Sequence, residues 1–89
     1  MTSVAEIRKR LEQGTVAIGT KLTLQNLRKG RLEKVLVTKN CPKAVVSEIK
    51  SLAENTEIEQ LDILNSELGT SCKKPFSISV IGFLRGANK

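Results

Sequence analysis

Several residue types that commonly build enzyme active sites are missing from this sequence. It contains no histidine, tryptophan or tyrosine, and Asp62 is its single aspartate. Without histidine the chain lacks the side chain whose ordinary pKa lies nearest neutrality, so most hydrolytic mechanisms lose their usual general base. With only two phenylalanines it also lacks the aromatic platform of sheet-type RNA readers. We therefore predict that the protein is not an enzyme and that it does not stack bases across a sheet.

Cysteine and long apolar runs are also scarce. Cys41 and Cys72 lie 31 positions apart, with no second pair nearby, so they match neither a zinc spacing nor a redox CxxC motif. We predict two reduced thiols, although one disulfide is compatible with the sequence, and we expect no metal and no cofactor. No segment approaches the roughly 20 apolar residues that cross a bilayer, and charge interrupts the amino-terminal segment. These absences predict a soluble, cytoplasmic protein without membrane contacts.

Positive charge is abundant. Fifteen Lys and Arg against nine Asp and Glu give a formal charge of +6 and a pI near 9.7. Such a balance favours a polyanionic partner, and nucleic acid is the first to consider. The charge is uneven, because residues 1–50 carry +7, residues 51–72 carry −5 and residues 73–89 carry +4. At 89 residues, the chain predicts a single RNA-binding domain, 1–89, with one face that repels phosphate.

Hydrophobic periodicity predicts an alternation of helices and strands. Ser3 and Glu6 form a capping pattern, and Gly14 suits the end of the first helix. The predicted elements are a helix over 4–13, a strand over 15–18, a helix capped by Thr20 and ending at Gly30, a strand over 34–38, a helix with Pro42 in its first turn that ends near 54–55, a strand over 58–64, a short helix through 67–71 capped by Asn65 or Ser66, and a strand over 76–84. This order favours an α/β fold with a central sheet between layers of helices.

Two predicted turns place cations beside groups that bind nucleic acid. The turn from Gly19 to Lys21 opens a helix, so it combines unpaired N–H groups, the positive end of the helix dipole and a cation. The alternative is a tight turn with a solvated lysine. In the segment from Lys39 to Lys43, the amide of Asn40 can pair with a base edge or cap the next helix. Cys41 in this segment could have a lowered pKa beside its lysines.

A third segment, Ser71 to Phe76, places two further lysines beside an aromatic ring. That arrangement favours a phosphate clamp with a stacking surface. Phe76 also lies in phase with Ile78 and Val80, so burial in the core is the competing prediction. In a layered sandwich the three segments can meet at one end of the sheet and form one binding surface.

The motifs together resemble those of the kink-turn-binding superfamily of ribosomal proteins, which includes ribosomal protein L-seven-Ae, and within it the archaeal and eukaryotic L-thirty-e branch. The resemblance covers nearly the whole chain. It rests on Gly19-x-Lys21 with Leu27-Arg-x-Gly30, on Lys34-Val-Leu-Val-Thr-x-Asn40-Cys-Pro, and on Glu67-Leu-Gly-Thr70 followed by Lys74-Pro-Phe76. It implies a three-layer α/β/α sandwich around a mixed four-stranded sheet that binds a kink-turn or related RNA internal loop.

The resemblance implies the following RNA-binding residues: Gly19, Thr20, Lys21, Leu24, Gln25, Lys39, Asn40, Cys41, Pro42, Lys43, Thr70, Ser71, Lys73, Lys74 and Phe76. General kink-turn binders carry Asn-Glu where this chain has Lys21-Leu22, and Lys where it has Gln25. These departures favour the L-thirty-e branch. In that branch, Phe76 matches an aromatic residue that packs against RNA.

The resemblance implies a structural constituent of the large ribosomal subunit, whose partners are ribosomal RNA and other large-subunit proteins, and which is a monomer when free. The alternative within the superfamily is a kink-turn-binding adaptor of a non-ribosomal ribonucleoprotein. A third interpretation is a protein-interaction domain that docks partners on its acidic stretch, Glu54 to Glu67.

Overall fold

The computed structural model describes residues 2–53 and 56–85. Four helices and four strands alternate in it: α1 Val4–Gln13, β1 Val16–Ile18, α2 Thr20–Arg28, β2 Leu32–Val37, α3 Lys43–Leu52, β3 Glu57–Gln60, α4 Asn65–Ser71 and β4 Val80–Leu84. The predicted order of elements is confirmed. The first helix also has its predicted ends, because the Ser3 hydroxyl accepts the Glu6 N–H at 3.2 Å and Gly14 adopts the left-handed conformation, with φ 72°.

The strands form one mixed sheet in the order β1-β4-β2-β3. β4 runs antiparallel to both of its neighbours, whereas β2 and β3 are parallel. β1, β2 and β3 therefore point the same way, and β4 points the opposite way. As a result, the carboxyl ends of the first three strands and the amino end of β4 lie at the same end of the sheet.

Each face of the sheet carries its own hydrophobic core. Ile7 of α1 and Leu68 of α4 pack on one face, together with Leu36 of β2. Leu27 of α2 and Ile49 of α3 pack on the other face. Successive strand residues alternate between the two cores because neighbouring side chains on a strand point to opposite faces. The predicted three-layer α/β/α sandwich is thereby confirmed.

Several predicted boundaries were wrong. β4 begins at Val80 and not at residue 76, because the preceding segment bonds to α4: the Ile78 N–H donates to the Asn65 carbonyl at 3.0 Å. β3 ends at Gln60, and β2 begins two residues earlier than predicted. The caps of α2 and α4 lie one or two residues earlier than predicted, at Gly19 and Leu64. α3 begins later than predicted, because Pro42 is its N-cap and does not lie in its first turn. α3 ends at Leu52. Its predicted end, near 54–55, lies outside the described residues.

A cluster of charged and polar groups ties the amino-terminal segment to the edge strand. The Thr2 N–H donates to the Glu59 carboxylate at 2.7 Å, and the Thr2 hydroxyl donates to it at 2.9 Å. Lys34 of β2 lies 2.9 Å from the same carboxylate. These bonds, that from Lys34 foremost, lower the pKa of Glu59 from 4.5 to about 2. The hydrogen bond with Glu59 also raises the pKa of Lys34.

We expect this cluster to make the free energy of unfolding depend on pH in the acidic range. The pKa of Glu59 is lower in the folded protein than in the unfolded chain, so its contribution is complete above about pH 5 and is lost as the pH falls toward 2. Glu59→Gln should lower the free energy of unfolding by about 2 kcal/mol at pH 7, after allowance for solvent screening, and by progressively less in acid. Urea titrations at several pH values measure this. The control is Glu12→Gln, an exposed acid of α1, which should shift stability little at any pH.

Candidate nucleic-acid interface

The sheet topology brings four loop segments together. The Gly19 N–H donates to the Val80 carbonyl at 2.9 Å, and the Thr38 N–H donates to the Ser79 carbonyl at 2.9 Å. The Lys39 N–H donates to the Ile63 carbonyl at 3.1 Å. We call the surface formed by residues 19–22, 38–43, 61–66 and 76–79 the loop end. The turn after β1 and the turn after β2 thus meet as predicted, and the segment before β4 joins them.

Two asparagine amides link these segments at the loop end. Asn40 Nδ2 donates to Asn65 Oδ1 at 3.1 Å, and Asn40 Oδ1 accepts the Asn65 backbone N–H at 2.9 Å. Asn65 Nδ2 in turn donates to the Ser79 hydroxyl at 3.3 Å. The Thr38 hydroxyl donates to Asn40 Oδ1 at 3.0 Å. We call these four side chains the amide network.

The amide network corrects the structural interpretation of Asn40. Its side chain does not cap α3, which begins after Pro42 without a side-chain cap. It accepts the first N–H of α4 instead, 25 residues further along the chain. Asn65 itself was considered only as a possible helix cap, although its amide is as well placed as that of Asn40. The available signal was its position two residues before the Glu67-Leu-Gly-Thr70 motif.

The turn after β1 has the backbone that the sequence required. Gly19 has φ 98° and ψ 159°, a conformation that residues with a Cβ rarely adopt, and its carbonyl accepts the Thr23 N–H at 3.0 Å. No side chain caps the first turn of α2. Lys21 and Gln25, four residues apart, are exposed on one side of this helix, and Thr20 is half-buried. Leu24 is half-buried against the core between α2 and α3, so its side chain serves packing.

The segment after β2 exposes cations but no reactive thiol. Lys39 and Lys43 are exposed, and Pro42 is exposed between them and the helix. Lys39 forms an ion pair with Asp62 at 3.7 Å. This pair adds little to the free energy of unfolding, because both groups are solvated. Cys41 is half-buried against the core, and burial raises the pKa of its thiol. The lowered pKa that the neighbouring lysines could have produced does not occur, because desolvation of the thiolate dominates. Both Cys41 and Cys72 are free thiols, as predicted.

The third predicted segment divides between two places. Thr70, Lys74 and Phe76 line a hollow of about 270 Å³ beside Ser66 and Ser77, next to the loop end. Ser71 and Lys73 instead line a hollow of about 320 Å³ that they share with Arg8 and Glu12 of α1. We conclude that the structure does not bring Ser71 and Lys73 to the loop end. Lys73 has φ 60°, which closes the turn after α4.

A close backbone contact positions the exposed Phe76. Phe76 is 56% exposed, so the competing prediction, burial in the core, was wrong. Its carbonyl oxygen lies where a Cβ on Gly69 would be. Gly69 is buried within α4, and only a glycine allows the Phe76 backbone to approach the helix this closely. This contact turns the segment outward before β4 begins.

Exposed apolar side chains concentrate at the loop end. Among residues 2–53 and 56–85, the large hydrophobic residues that are exposed are Leu22, Leu64 and Phe76. All three belong to the loop end, where they surround polar and cationic groups. Leu22 and Leu64 were not predicted as site residues, because Leu64 had been assigned to a strand and Leu22 only to a helix. Of these, Phe76 can stack on a base, and the two leucines can pack against bases or riboses.

Four acidic residues between positions 57 and 67 have partners within the protein. Glu57 and Glu59 pair with Lys34, and Asp62 pairs with Lys39. The Glu67 carboxylate accepts the Leu64 N–H at 2.8 Å. Residues 54 and 55 of the acidic stretch lie outside the described residues. Glu59 and Glu67 are therefore poorly suited to dock a basic protein, which disfavours the protein-interaction hypothesis for these two residues. The pairs of Glu57 and Asp62 are long and solvent-exposed, so they contribute little to this argument.

The fold and the site define a class of protein: a small, basic α/β/α sandwich that presents cations, amides and isolated apolar side chains at one end of a mixed sheet. The particular family follows from comparison with known proteins. The chain belongs to the ribosomal protein L7Ae/L30e/S12e/Gadd45 family, whose model matches residues 1–89. The resemblance that the motifs indicated is therefore confirmed.

Curated relatives agree with this assignment, and solved structures share the fold. The large ribosomal subunit protein eL30 of Archaeoglobus fulgidus is 40% identical over 82 residues, covering 91% of this chain and 93% of its own. The protein of the same name from Sulfolobus acidocaldarius is 33% identical over 81 residues, covering 89% and 78%. A 15.5 kDa RNA-binding protein of Giardia lamblia has the same fold, with a TM-score of 0.73, 16% identity and coverage of 89% and 68%. A Bacillus halodurans protein of unknown function superimposes with a TM-score of 0.82, 10% identity and coverage of 93% and 84%.

This protein is not an enzyme, as its relatives are named as ribosomal proteins. In the part of the chain that the structure describes, no three His, Cys, Asp or Glu side chains gather where they could hold a metal ion. Within the same part, no helix has the length and apolarity needed to cross a membrane.

Proposed function

We propose that this protein is a structural constituent of the large ribosomal subunit that binds a kink-turn or related internal loop of ribosomal RNA through its loop end. The observation that carries the proposal is the amide network, which joins three basic or apolar segments into one surface. The names of the curated relatives support the ribosomal role. Such a protein would act in the cytoplasm, as a single domain and a monomer before assembly, beside other large-subunit proteins.

The chemistry of the loop end suits a bent RNA more than a plain duplex. Sequence-specific proteins read unstacked bases in RNA loops, because the major groove of A-form RNA is too narrow for side chains. Each amide in the network uses one of its two N–H groups internally, so Asn40 and Asn65 both retain a donor for a base edge. Phe76 offers a stacking face, which is worth about 1–3 kcal/mol per base. Lys21, at the start of α2, supplies a cation for the phosphates.

The test is a calorimetric or gel-shift titration against three RNAs of equal length: an L-thirty-e-type internal loop, a standard kink-turn and a plain duplex. Each titration is made at two salt concentrations, because phosphate contacts weaken with salt whereas shape contacts persist. A preference for the internal loop that survives higher salt supports the ribosomal proposal. Preference for the standard kink-turn would favour the non-ribosomal adaptor. Equal, salt-sensitive binding to all three RNAs would reduce the loop end to a charge patch and overturn the proposal.

Lys21→Ala should weaken binding to the internal-loop RNA and flatten its salt dependence. The side chain is exposed at the start of α2, and one lost phosphate contact lowers the log–log salt slope by about one unit or less. Titration at four salt concentrations measures the slope. Lys9→Ala, an exposed lysine of α1 that lies outside the loop end, is the matched control. An equal change of slope in both variants would contradict a specific role for Lys21.

A further inference from the structure

A second cationic surface lies beside the loop end, along α3 and the edge strand β3. Lys39, Lys43 and Lys50 line one hollow of about 400 Å³, together with Ser47 and Gln60. Its lining, within the part of the chain that the structure describes, contains no carboxylate. We call it the lysine hollow. Lys50, Ser47 and Gln60 belong to none of the segments that the family motifs marked.

The spacing of these residues gives the lysine hollow a direction. Lys43, Ser47 and Lys50 follow one another at helical positions i, i+4 and i+7, so they lie on one side of α3. Two turns separate Lys43 from Lys50, roughly 10 Å along the helix axis. That distance is the axial length of about three to four base pairs of an RNA stem. The lysine hollow therefore extends from the loop end toward the far end of α3.

The acids near this surface leave its cations largely available. On α3, Glu48 pairs with Arg28 of α2 at 3.5 Å, which directs it toward the neighbouring helix and away from the hollow. Asp62 pairs with Lys39, but its side chain is 88% exposed, and the separation is 3.7 Å. Gln60 ends the edge strand and adds an amide donor at the rim. A row of cations with amide and hydroxyl donors is suited to the phosphate backbone of a nucleic acid and not to its bases.

We propose that the lysine hollow binds the phosphate backbone of a helical stem that flanks the internal loop held at the loop end. Lys39 and Lys43 lie where the lysine hollow meets the loop end. Lys50 contacts phosphates of the stem roughly three to four base pairs further from the internal loop. The inference rests on the proposed function. It adds a sequence-independent contact with the phosphate backbone, so the affinity depends on how far the stem continues beside α3.

The test compares two internal-loop RNAs that differ only in the length of their flanking stems: a truncated RNA that keeps only the short stems needed to fold the loop, and one extended by about eight base pairs on each side. The wild-type protein should bind the extended RNA about three- to tenfold more tightly, with a steeper salt dependence. Lys50→Ala should remove most of this gain and leave binding to the truncated RNA unchanged. Lys50→Arg should retain the gain, because it keeps the charge. Lys9→Ala, an exposed lysine on the opposite helical layer, is the matched control.

The outcomes separate this inference from the proposed function. If the wild-type protein prefers the internal loop but binds short-stem and long-stem RNAs equally, the lysine hollow does not bind the stem and the proposed function stands. The same conclusion follows if Lys50→Ala and Lys9→Ala lose equal amounts of the affinity gained from the longer stems. If Lys50→Ala weakens both RNAs equally, the lysine acts at the loop itself, which also overturns the inference. If the wild-type protein binds internal loop and duplex alike, both proposals fail. Circular dichroism of Lys50→Ala confirms that this exposed position leaves the fold intact.

Discussion

Gly69→Ala is expected to lower the free energy of unfolding by about 3 kcal/mol, the upper part of the range for overpacked sites. A Cβ at this position would collide with the Phe76 carbonyl oxygen and crowd the carbonyl carbon at 3.1 Å and the Ser77 Cα at 3.3 Å. All three are backbone atoms, so no side-chain rotation relieves the overlap. The segment before β4 must move away from α4. Urea denaturation followed by circular dichroism measures the loss.

The same substitution should also weaken RNA binding, because it displaces Phe76 and disturbs the bond from the Ile78 N–H to the Asn65 carbonyl. Affinity for the internal-loop RNA should fall by about tenfold, which corresponds to 1.4 kcal/mol. Ser71→Ala is the control, since Ser71 belongs to the same short helix but lies away from the loop end. Wild-type stability in Gly69→Ala would show that the segment before β4 is not seated on α4.

Asn40→Ala and Asn65→Ala should each lower the preference for internal-loop RNA over duplex by about tenfold or more, since each leaves a polar partner in the network unpaired. Asn40 accepts two hydrogen bonds and donates one, so its loss releases the first N–H of α4 and the Thr38 hydroxyl together. Binding to plain duplex should change much less. Titration of both RNAs measures the ratio.

A double-mutant cycle tests whether the two amides act together. The variant that carries both substitutions should lose little more selectivity than either single variant, because the first substitution already separates the loops. Asn26→Ala serves as the control, for its amide donates within α2 to the Leu22 carbonyl at 2.8 Å and lies outside the network. Strictly additive losses would mean that Asn40 and Asn65 contact RNA independently. Equal losses on both RNAs would show that these amides do not read the bent shape.

Local patterns in the sequence were sufficient to predict the order of the helices and strands and the turn at Gly19. The first helix begins after Ser3 and ends at Gly14 as predicted, because a cap and a left-handed glycine act within a few residues of their own position. The same holds for the turn at Gly19, which needs a positive φ wherever the rest of the chain lies. Charge patterning also predicted a polyanionic partner without any knowledge of the fold.

The fate of Phe76 could not be predicted from its neighbours. Its phase with Ile78 and Val80 favoured a buried strand position, and both of those residues are indeed buried. Phe76 itself is exposed because its backbone seats on Gly69, a contact between segments that alternation along one strand does not reveal. The split of the third segment, with Lys74 beside Phe76 and Lys73 beside α1, has the same origin.

By itself, then, the sequence determined the alternating helices and strands, the basic character of the chain and the family to which it belongs, since these depend on periodicity, composition and short motifs. The tertiary structure alone decided which polar groups meet. Asn40 and Asn65 are 25 residues apart, and they become partners only because parallel β1, β2 and β3 bring their carboxyl ends to one end of the sheet, where antiparallel β4 begins. A side-chain hydrogen bond acts over about 3 Å, so its partner is set by strand order and not by distance along the chain.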